Sequence, residues 1–145
     1  MFETYVTMVG KVVSDPAPHR FGGDGGGRRC SFRLLAKERR RTADTGGWED
    51  GDRMFVQVTC WRRLAEGVAA SLRRGDRVMV IGRLYTREYD TDTGTRVSVE
   101  LEARSVGPDL SFCTASVTRS EWSEPGGPVA DQSAEARPVD SLTAA

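Results

Sequence analysis

The chain has 145 residues, with 21 basic and 21 acidic side chains, three cysteines and a single histidine. This is the length of one ordinary domain with a short extension, which excludes a large multidomain enzyme. The 16 glycines and the 29% of charged residues leave little room for long buried helices, so a compact, strand-rich domain is expected. A net charge of zero argues at first against a nucleic-acid partner, because such proteins usually carry a basic excess.

The charges are, however, segregated along the chain. Residues 1–119 contain 20 basic and 16 acidic side chains, a net charge of +4, whereas residues 120–145 contain one basic and five acidic side chains, a net charge of −4. Residues 28–41 contain seven basic residues against Glu38 alone, a local charge of +6. Such a segment either attracts a polyanion or forms a solvated charged loop, and its composition leaves both alternatives open.

The segment 120–145 combines three prolines with small polar residues and has little apolar material to offset the entropy of folding. We therefore predict one folded domain at residues 1–119 and a disordered acidic tail at 120–145. No apolar run is long enough to span a membrane, and the first residues lack the features of a secretory signal. A cytoplasmic protein without a membrane partner is expected.

The residues needed for catalysis or metal binding are scarce. Cys30, Cys60 and Cys113 are widely spaced, which fits neither a secreted disulfide framework nor a metal motif, although Cys113 could bridge two subunits. Because His19 is the only histidine, a histidine-based metal site or a Ser-His-Asp triad would need residues that the chain lacks. We expect no enzymatic activity, no metal and no cofactor.

Alternating apolar residues predict the first two strands. Residues 4–13 form the first, with Val6, Met8 and Val12 on one face. Gly10 interrupts this face, which indicates a bend, a bulge or a close backbone approach. The stretch that follows, rich in proline and glycine, is predicted to be a flexible connection. A second strand is predicted at residues 30–37, with inward-facing Cys30, Phe32, Leu34 and Ala36.

A turn-rich loop bearing Trp48 is predicted at residues 41–53, followed by a strand at 54–61. The strand's alternation places two large aromatic residues, Phe55 and Trp61, on the face that should be exposed to water. They are either covered by another element or subunit, or they form a surface on which nucleobases stack. The predicted core face contains Met54, Val56, Val58 and Cys60.

A helix is predicted at residues 62–74, because Leu64, Val68 and Leu72 recur at helical spacing before Gly75. A strand at 76–89 follows, whose outer face alternates cations with aromatic residues: Arg83, Tyr85, Arg87 and Tyr89. Residues 90–95 form a hairpin loop that leads into a last strand at 96–103. That strand is predicted to direct Val97, Val99, Leu101 and Ala103 inward and Arg96, Ser98, Glu100 and Glu102 outward.

These elements amount to about five strands, with one short helix between the third and the fourth strands and long hairpins after the second and the fourth. The fold class is therefore all-β. The order of the elements matches a small, closed or partly open β-barrel of the oligonucleotide-binding type, the OB-fold.

Four segments resemble the bacterial single-stranded DNA-binding protein family: TMVGKVVSDPAPHRF, CSFRLLAKE, GWEDGDRMFVQVTCWRRLAEGVAASLRRGDRVMVIGRLYTREYDTDTG and VELEARSVGPDLSF. Together they cover roughly residues 4–119. The resemblance implies a non-enzymatic, nucleoid-associated protein that binds and protects single-stranded DNA with little sequence preference during replication, recombination or repair. The alternative is an accessory OB-fold subunit whose aromatic residues are buried at subunit interfaces.

The resemblance also implies roles for single residues. Phe55, Trp61 and Tyr89 occupy positions where the family stacks bases, and Trp48 is similar to a hairpin aromatic of actinobacterial members. Arg41 stands at a further stacking position where the family has an aromatic residue, and a guanidinium plane can stack there as well. With the cations, the candidate DNA-binding residues are Phe55, Trp61, Tyr89, Trp48, Tyr85, Arg33, Lys37, Arg39, Arg40, Arg41, Arg63, Arg73, Arg74, Arg83, Arg87 and Arg96.

Residues 107–119 resemble an additional C-terminal strand that clamps one subunit to another in actinobacterial members, which implies a homotetramer built from two dimers. The family's tail commonly ends in an acidic tip with a final Pro-Phe that recruits partner proteins. This sequence ends in SLTAA. Recruitment of partners through an acidic tip is therefore not expected for what resembles a short-tailed paralogue.

Overall fold

The structure is a computed structural model that describes residues 3–23 and 26–120. In these residues the chain forms six strands and one helix: β1 (Thr4–Val12), β2 (Ala17–Phe21), β3 (Gly27–Arg41), β4 (Trp48–Trp61), α1 (Arg62–Ser71), β5 (Arg77–Thr91) and β6 (Gly94–Pro108). The predicted all-β class, with one short helix before the last two strands, is confirmed. Among the described residues, no helix is both long and apolar enough to cross a membrane.

The strands lie in the order β1-β5-β6-β4-β3-β2, and β1 also pairs with β3. This second pairing, Lys11 with Leu35 and Val12 with Leu34, joins β1, β5, β6, β4 and β3 into a ring. The pairs are antiparallel except β4 with β6, which run parallel over Gln57–Thr59. The ring of five strands confirms the arrangement expected from the sequence.

The core lies inside the ring, because alternate residues of each strand are directed there. Phe32, Val58, Val80 and Leu101 are essentially inaccessible to water, as the alternation predicts. Helix α1 packs against β2, β3, β4 and β6 and adds Ala65 and Val68 to this core, and Leu72 joins them directly after the helix. It ends at Ser71, three residues earlier than expected, and the chain turns at Gly75, whose φ of +100° suits glycine.

Two glycines let neighbouring strands approach closely. A Cβ atom on Gly10 would lie 2.5 Å from the carbonyl oxygen of Leu35, and one on Gly82 would collide with the carbonyl oxygen of Glu102. Gly82 also lies at an irregularity in the β5–β6 register, next to Ile81. Of the three alternatives predicted for Gly10, the structure shows the close backbone approach, which occurs where β1 leads into the pairing that closes the ring.

Two predicted loops are shorter than expected. The connection after β1 contains a strand, β2, which pairs with β3 from Ala17 opposite Ser31 to Phe21 opposite Gly27. The loop predicted at 41–53 is confined to residues 42–47, because β3 extends to Arg41 and β4 begins at Trp48. Its arms carry opposite charges, and ion pairs join Lys37 to Asp50 and Arg40 to Asp52 across the longer hairpin.

Two inward assignments were wrong, and one residue predicted to face outward is more buried than expected. Met54 and Val97 are exposed rather than buried, since they lie on the parts of β4 and β6 that extend beyond the core. Glu100 has the predicted outward direction but is 7% exposed, because neighbouring side chains on the outer face enclose it. Alternation predicts the side of the sheet, but it does not tell how far the core extends along a strand.

The chain divides into two units, residues 1–115 and residues 116–145. Strand β6 ends at Pro108, and residues 109–120 form no strand within this single chain, so the expected additional strand is not formed here. The disordered tail predicted at 120–145 lies outside the described residues, apart from Ser120.

Candidate nucleic-acid interface

The candidate interface is formed by four neighbouring strands, β5, β6, β4 and β3. We call the side of these strands that is directed away from the core the outer face. The strand register aligns one residue of each strand in a row across it. Tyr85 lies opposite Glu100, Glu100 is paired with Gln57, and a neighbouring pair joins Gln57 to Arg33. Outward side chains from distant parts of the sequence therefore meet on one continuous surface.

Three aromatic side chains lie partly exposed on this surface. Phe55 is 43% exposed, Trp61 39% and Tyr89 42%. Phe55 and Tyr89 line the same open cavity of about 410 Å³, which joins the middle of β4 to the end of β5. The prediction that these aromatic residues lie on an exposed face is confirmed, and their rings have room to stack on a planar ligand.

Neighbouring side chains orient the aromatic rings. The guanidinium of Arg33 lies 5.1 Å from the ring centroid of Phe55, and that of Arg29 lies 5.9 Å from Trp61. Phe21 meets Trp61 edge to face, with 6.0 Å between ring centroids. Arg29 and Phe21 were not in the predicted set. Arg29 shares its outward direction with Arg33, so alternation could have found it, whereas Phe21 depends on the unpredicted strand β2.

A second cavity, of about 360 Å³, adjoins the first and shares Gln57, Tyr89 and Ser98 with it. It is lined by Arg29, Ser31, Gln57, Thr59, Arg87, Tyr89, Ser98 and Glu100. The two cavities form one groove across the strands from β3 to β5, and we call it the outer groove. Hydroxyl, amide, cationic and aromatic groups all line it, which is the chemistry that a polar, aromatic ligand needs.

Several of the predicted cations have carboxylate neighbours. Arg83 lies 3.3 Å from Glu102, and Arg87 lies 3.8 Å from Glu100. Arg83 also covers the ring of Tyr85, at 4.4 Å from its centroid. The pair of Arg83 and Glu102 is partly exposed and contributes little stability, and the exposed guanidinium of Arg87 lies beyond hydrogen-bond distance of the buried Glu100. Both arginines are therefore able to exchange their carboxylate neighbours for phosphates.

The β3–β4 hairpin has a strongly charged surface. Lys37 donates a hydrogen bond to Asp50 at 3.0 Å, which lowers the pKa of that carboxyl group below its ordinary value. Arg40 lies between Glu38 and Asp52, and its hydrogen bond lowers the pKa of Glu38. The lowered pKa values of Glu38 and Asp50 favour their ionised forms, whose negative charges offset part of the local charge of +6 found in the sequence.

At the hairpin tip, Arg41 is paired with Trp48, which is 63% exposed. The Thr42 hydroxyl donates a hydrogen bond to the carbonyl oxygen of Gly47 at 2.7 Å and closes the turn. Arg39 lies on the same arm, opposite Asp50. Trp48, Arg39 and Arg41 are thus brought together near the end of the hairpin, away from Phe55 and Trp61.

Four further candidates lie elsewhere. Arg96 is paired with Tyr89 beside the outer groove. Arg63 lines a separate cavity with α1 and the end of β6. Arg73 donates hydrogen bonds to the carbonyl oxygens of Leu72 and Ala69, so it caps the end of α1, and the Arg74 amide donates one to Asp15. The structure does not bring Arg63, Arg73 and Arg74 into the lining of the outer groove.

Within residues 3–23 and 26–120, no group of three or more histidine, cysteine, aspartate or glutamate side chains is placed to hold a metal ion. Cys30 and Cys60 lie opposite each other in the core as free thiols, and burial raises the pKa of both, that of Cys60 to about 12. Cys113 is exposed. The side chains that line the outer groove offer stacking, hydrogen bonding and charge to a ligand.

Residues 4–109 match the sequence model of the Single-strand binding protein family. The chain belongs to this family. The match covers β1 to β6 and so includes both cavities of the outer groove. The resemblance of the four sequence segments is confirmed, including the relation to actinobacterial members.

Two relatives carry the name single-stranded DNA-binding protein. The protein of Corynebacterium glutamicum is 44% identical over 119 residues, which are 81% of this chain and 52% of the relative. The protein of Mycolicibacterium smegmatis is 38% identical over 122 residues, 83% of this chain and 73% of the relative. This chain thus spans only about half the length of the first of these relatives.

Solved structures of family members have the same fold. The small single-stranded DNA-binding protein of Streptomyces coelicolor superposes with a TM-score of 0.70 at 32% identity, covering 78% of this chain and all of that one. The second single-stranded DNA-binding protein of Mycobacterium smegmatis gives a TM-score of 0.61 at 39% identity, covering 81% of this chain and all of that one. Both likenesses support the OB-fold assignment.

Proposed function

We propose that this chain binds single-stranded DNA along the outer groove, as a non-enzymatic protein that keeps exposed strands covered during replication, recombination or repair. The observation that carries the proposal is that Phe55, Trp61 and Tyr89 lie half exposed among polar groups on one face. Leaving large aromatic side chains in water forgoes hydrophobic stabilisation, and a ligand with planar faces recovers it. The names of the relatives point to the same ligand.

In the proposed complex, bases stack on the three aromatic side chains while arginines contact phosphates. Each stacked base contributes about 1–3 kcal/mol and every base has a face to stack, so the binding tolerates all sequences. The groups that neutralise phosphates are Arg33, Arg39, Arg41, Arg83 and Arg87. The last two exchange Glu102 and Glu100 for the DNA backbone. Because these contacts release counterions, the affinity falls as the salt concentration rises.

We further propose that copies of the chain assemble into a homotetramer. One edge of β1 pairs with β5 from Thr4 to Lys11, whereas on the other edge β3 pairs only with Lys11 and Val12. This second edge therefore has no strand partner from Thr4 to Val9 within the described residues. Beside this edge, the outer side of β1 and β5 exposes the apolar residues Tyr5, Val9, Met79 and Ile81. An open strand edge next to an apolar surface is suited to pairing with the same surface of a second copy. Light scattering of the purified chain tests the mass of the assembly.

Association with the nucleoid in the cytoplasm belongs to the same proposal, because that is where a bacterial cell exposes single-stranded DNA. The β3–β4 hairpin, with Arg39, Arg41 and Trp48 near its tip, is placed to extend the contact beyond the outer groove. Recruitment of other proteins is not part of the proposal. The candidate residues Arg63, Arg73 and Arg74 are retained as phosphate contacts for DNA that wraps around the helix side of the domain.

Intrinsic tryptophan fluorescence tests the proposed binding. We expect oligo-dT to quench the fluorescence at low salt and an equal mass of duplex to leave it nearly unchanged, because duplex bases are not free to stack. Trp61→Phe retains a ring for stacking, so this variant binds oligo-dT but loses the share of the quench that Trp61 contributes. No binding of oligo-dT by the full chain overturns the proposal and favours the alternative, an accessory subunit with its aromatic residues at interfaces.

A further inference from the structure

Glu100 is the one buried charged or polar residue among the described residues. Its side chain, 9% exposed, forms part of the wall of the 360 Å³ cavity of the outer groove. A buried carboxylate is costly unless hydrogen bonds or an opposite charge compensate it. A groove that binds a polyanion is an unfavourable place for such a group, so its position there needs an explanation.

The carboxylate is incompletely partnered in the free chain. Its nearest cation is Arg87, whose Nε lies 3.8 Å from Oε1, which is beyond hydrogen-bond distance. The Glu100 side chain accepts no hydrogen bond from the described residues. No oxygen or nitrogen of a described side chain is both enclosed and unbonded, so the carboxylate oxygens of Glu100 are open to the cavity. The site thus presents free acceptors to whatever enters.

The other groups in the cavity define what fits there. Gln57 brings an amide, Ser31, Thr59 and Ser98 bring hydroxyls, and Tyr89 brings a partly exposed ring. The volume of about 360 Å³ lies within the usual range of small-molecule sites. Arg29 and Arg87 also line the cavity and can contact the phosphate of a bound nucleotide. The carboxylate itself disfavours a phosphate beside it, whereas the edge of a nucleobase finds donors, acceptors and an aromatic neighbour.

We propose that this cavity is a base-specific subsite in which Glu100 accepts a hydrogen bond from the exocyclic amino group of a base. This inference rests on the proposed binding of single-stranded DNA. Cytosine carries an amino donor on C4, and acidic side chains are its usual partners. Thymine and uracil carry a carbonyl acceptor at the same position, which faces the carboxylate unfavourably. The chain therefore prefers cytosine to thymine or uracil at this subsite while it tolerates all bases elsewhere.

The test compares oligo-dC with oligo-dU of equal length, bound to the full chain at the same pH and salt. Both ligands lack the thymine methyl group, and they differ only at C4 and N3, so the comparison is confined to the base edge that carries the proposed contact. We expect oligo-dC to bind at least about fivefold more tightly. Equal affinities within twofold overturn the inference and leave the proposed function standing. Absence of binding to both ligands overturns both.

Two matched variants test whether Glu100 causes the preference for oligo-dC over oligo-dU. Glu100→Gln keeps the shape of the side chain, but it removes the charge and can donate a hydrogen bond to a carbonyl. We expect the ratio of the two affinities to fall to within about twofold or to reverse. Glu102→Gln removes an equal charge from the same strand, where Glu102 pairs with Arg83 and Arg104. It raises the affinity for both ligands and keeps the ratio. A ratio that persists in Glu100→Gln overturns the inference.

Discussion

The two faces of β4 have the same backbone and opposite environments. Val56, Val58 and Cys60 point inward and are at most 1% exposed, whereas Phe55 and Trp61 alternate with them and remain about 40% exposed. The inward residues belong to the apolar core cluster that the strands form together with α1. The outward ones are covered mainly by arginines. The difference indicates that one face is built for stability and the other is kept open for a ligand.

The double variant Phe55→Ala with Trp61→Ala removes both outward aromatic residues of β4 and is expected to have the largest effect on binding. We expect the free energy of binding to oligo-dT to weaken by about 2–6 kcal/mol, because two stacking positions of about 1–3 kcal/mol each are lost. The free energy of unfolding in urea should change much less, since neither side chain is in the core. Oligo-dT affinity within twofold of the unmodified chain would show that these rings are not the stacking surface.

The matched change on the inner face is Phe32→Ala. Phe32 is 1% exposed, so truncation leaves a cavity and lowers the free energy of unfolding by about 3–5 kcal/mol, as measured by urea denaturation. The molecules that remain folded should bind oligo-dT as before, because the outer face is unchanged. A stability loss below about 1 kcal/mol would contradict the assignment of Phe32 to the packed core.

Two arginines, one on the outer face and one in the β3–β4 hairpin, show whether a carboxylate partner reduces the contribution of an arginine to DNA binding. Arg33 covers Phe55 and has no carboxylate partner among the described residues, whereas Arg40 lies between Glu38 and Asp52. We expect Arg33→Gln to weaken binding by about tenfold and to reduce the salt slope of log K by about one. Arg40→Gln should have a smaller effect on both, since its charge is already offset. Equal effects would mean that the ion pairs of the hairpin do not matter for binding.

The buried thiols of Cys30 and Cys60 and the exposed thiol of Cys113 should differ in their reactivity. Since burial raises the pKa of Cys30 and Cys60, the native chain at pH 8 should take up alkylating reagent at exposed Cys113 and leave the other two intact.

Above pH 9 the unfolded chain releases thiol protons that the folded chain retains. The free energy of unfolding therefore falls as pH rises from about 9 towards 12. Mass spectrometry after labelling and urea titrations over pH check the two outcomes.

Much of the outer face was predictable because alternation determines the side of a sheet on which a residue lies. Phe55, Trp61 and Tyr89 follow from period two in segments with a clear apolar partner face. The same rule could not show that Glu100 is enclosed, since its burial depends on side chains from β3, β4 and β5 that lie far apart in the sequence. Tertiary register, rather than local pattern, brings these groups together.

The remaining differences between the predicted and the observed elements also depend on partners elsewhere in the chain. Strand β2 has little apolar alternation, and it forms because an edge of β3 is available for pairing. The hairpin arms are polar on both faces, so their pairing depends on cross-strand charges that no single strand reveals. Arg73 belongs to a run of cations in the sequence, yet its guanidinium caps the end of α1. In each of these three cases the structure of a residue or strand depends on the group it contacts, and the local sequence pattern does not identify that group.

Photo-crosslinking of oligo-dT to the full chain tests directly whether single-stranded DNA binds on the outer face, because it locates the ligand. After irradiation at low salt and proteolysis, mass spectrometry identifies the residues that carry nucleotide adducts. The account predicts adducts on Phe55, Trp61 and Tyr89, and on Trp48 at the hairpin tip, with duplex giving few. Adducts confined to β1 or α1, with the outer face unlabelled, would contradict it.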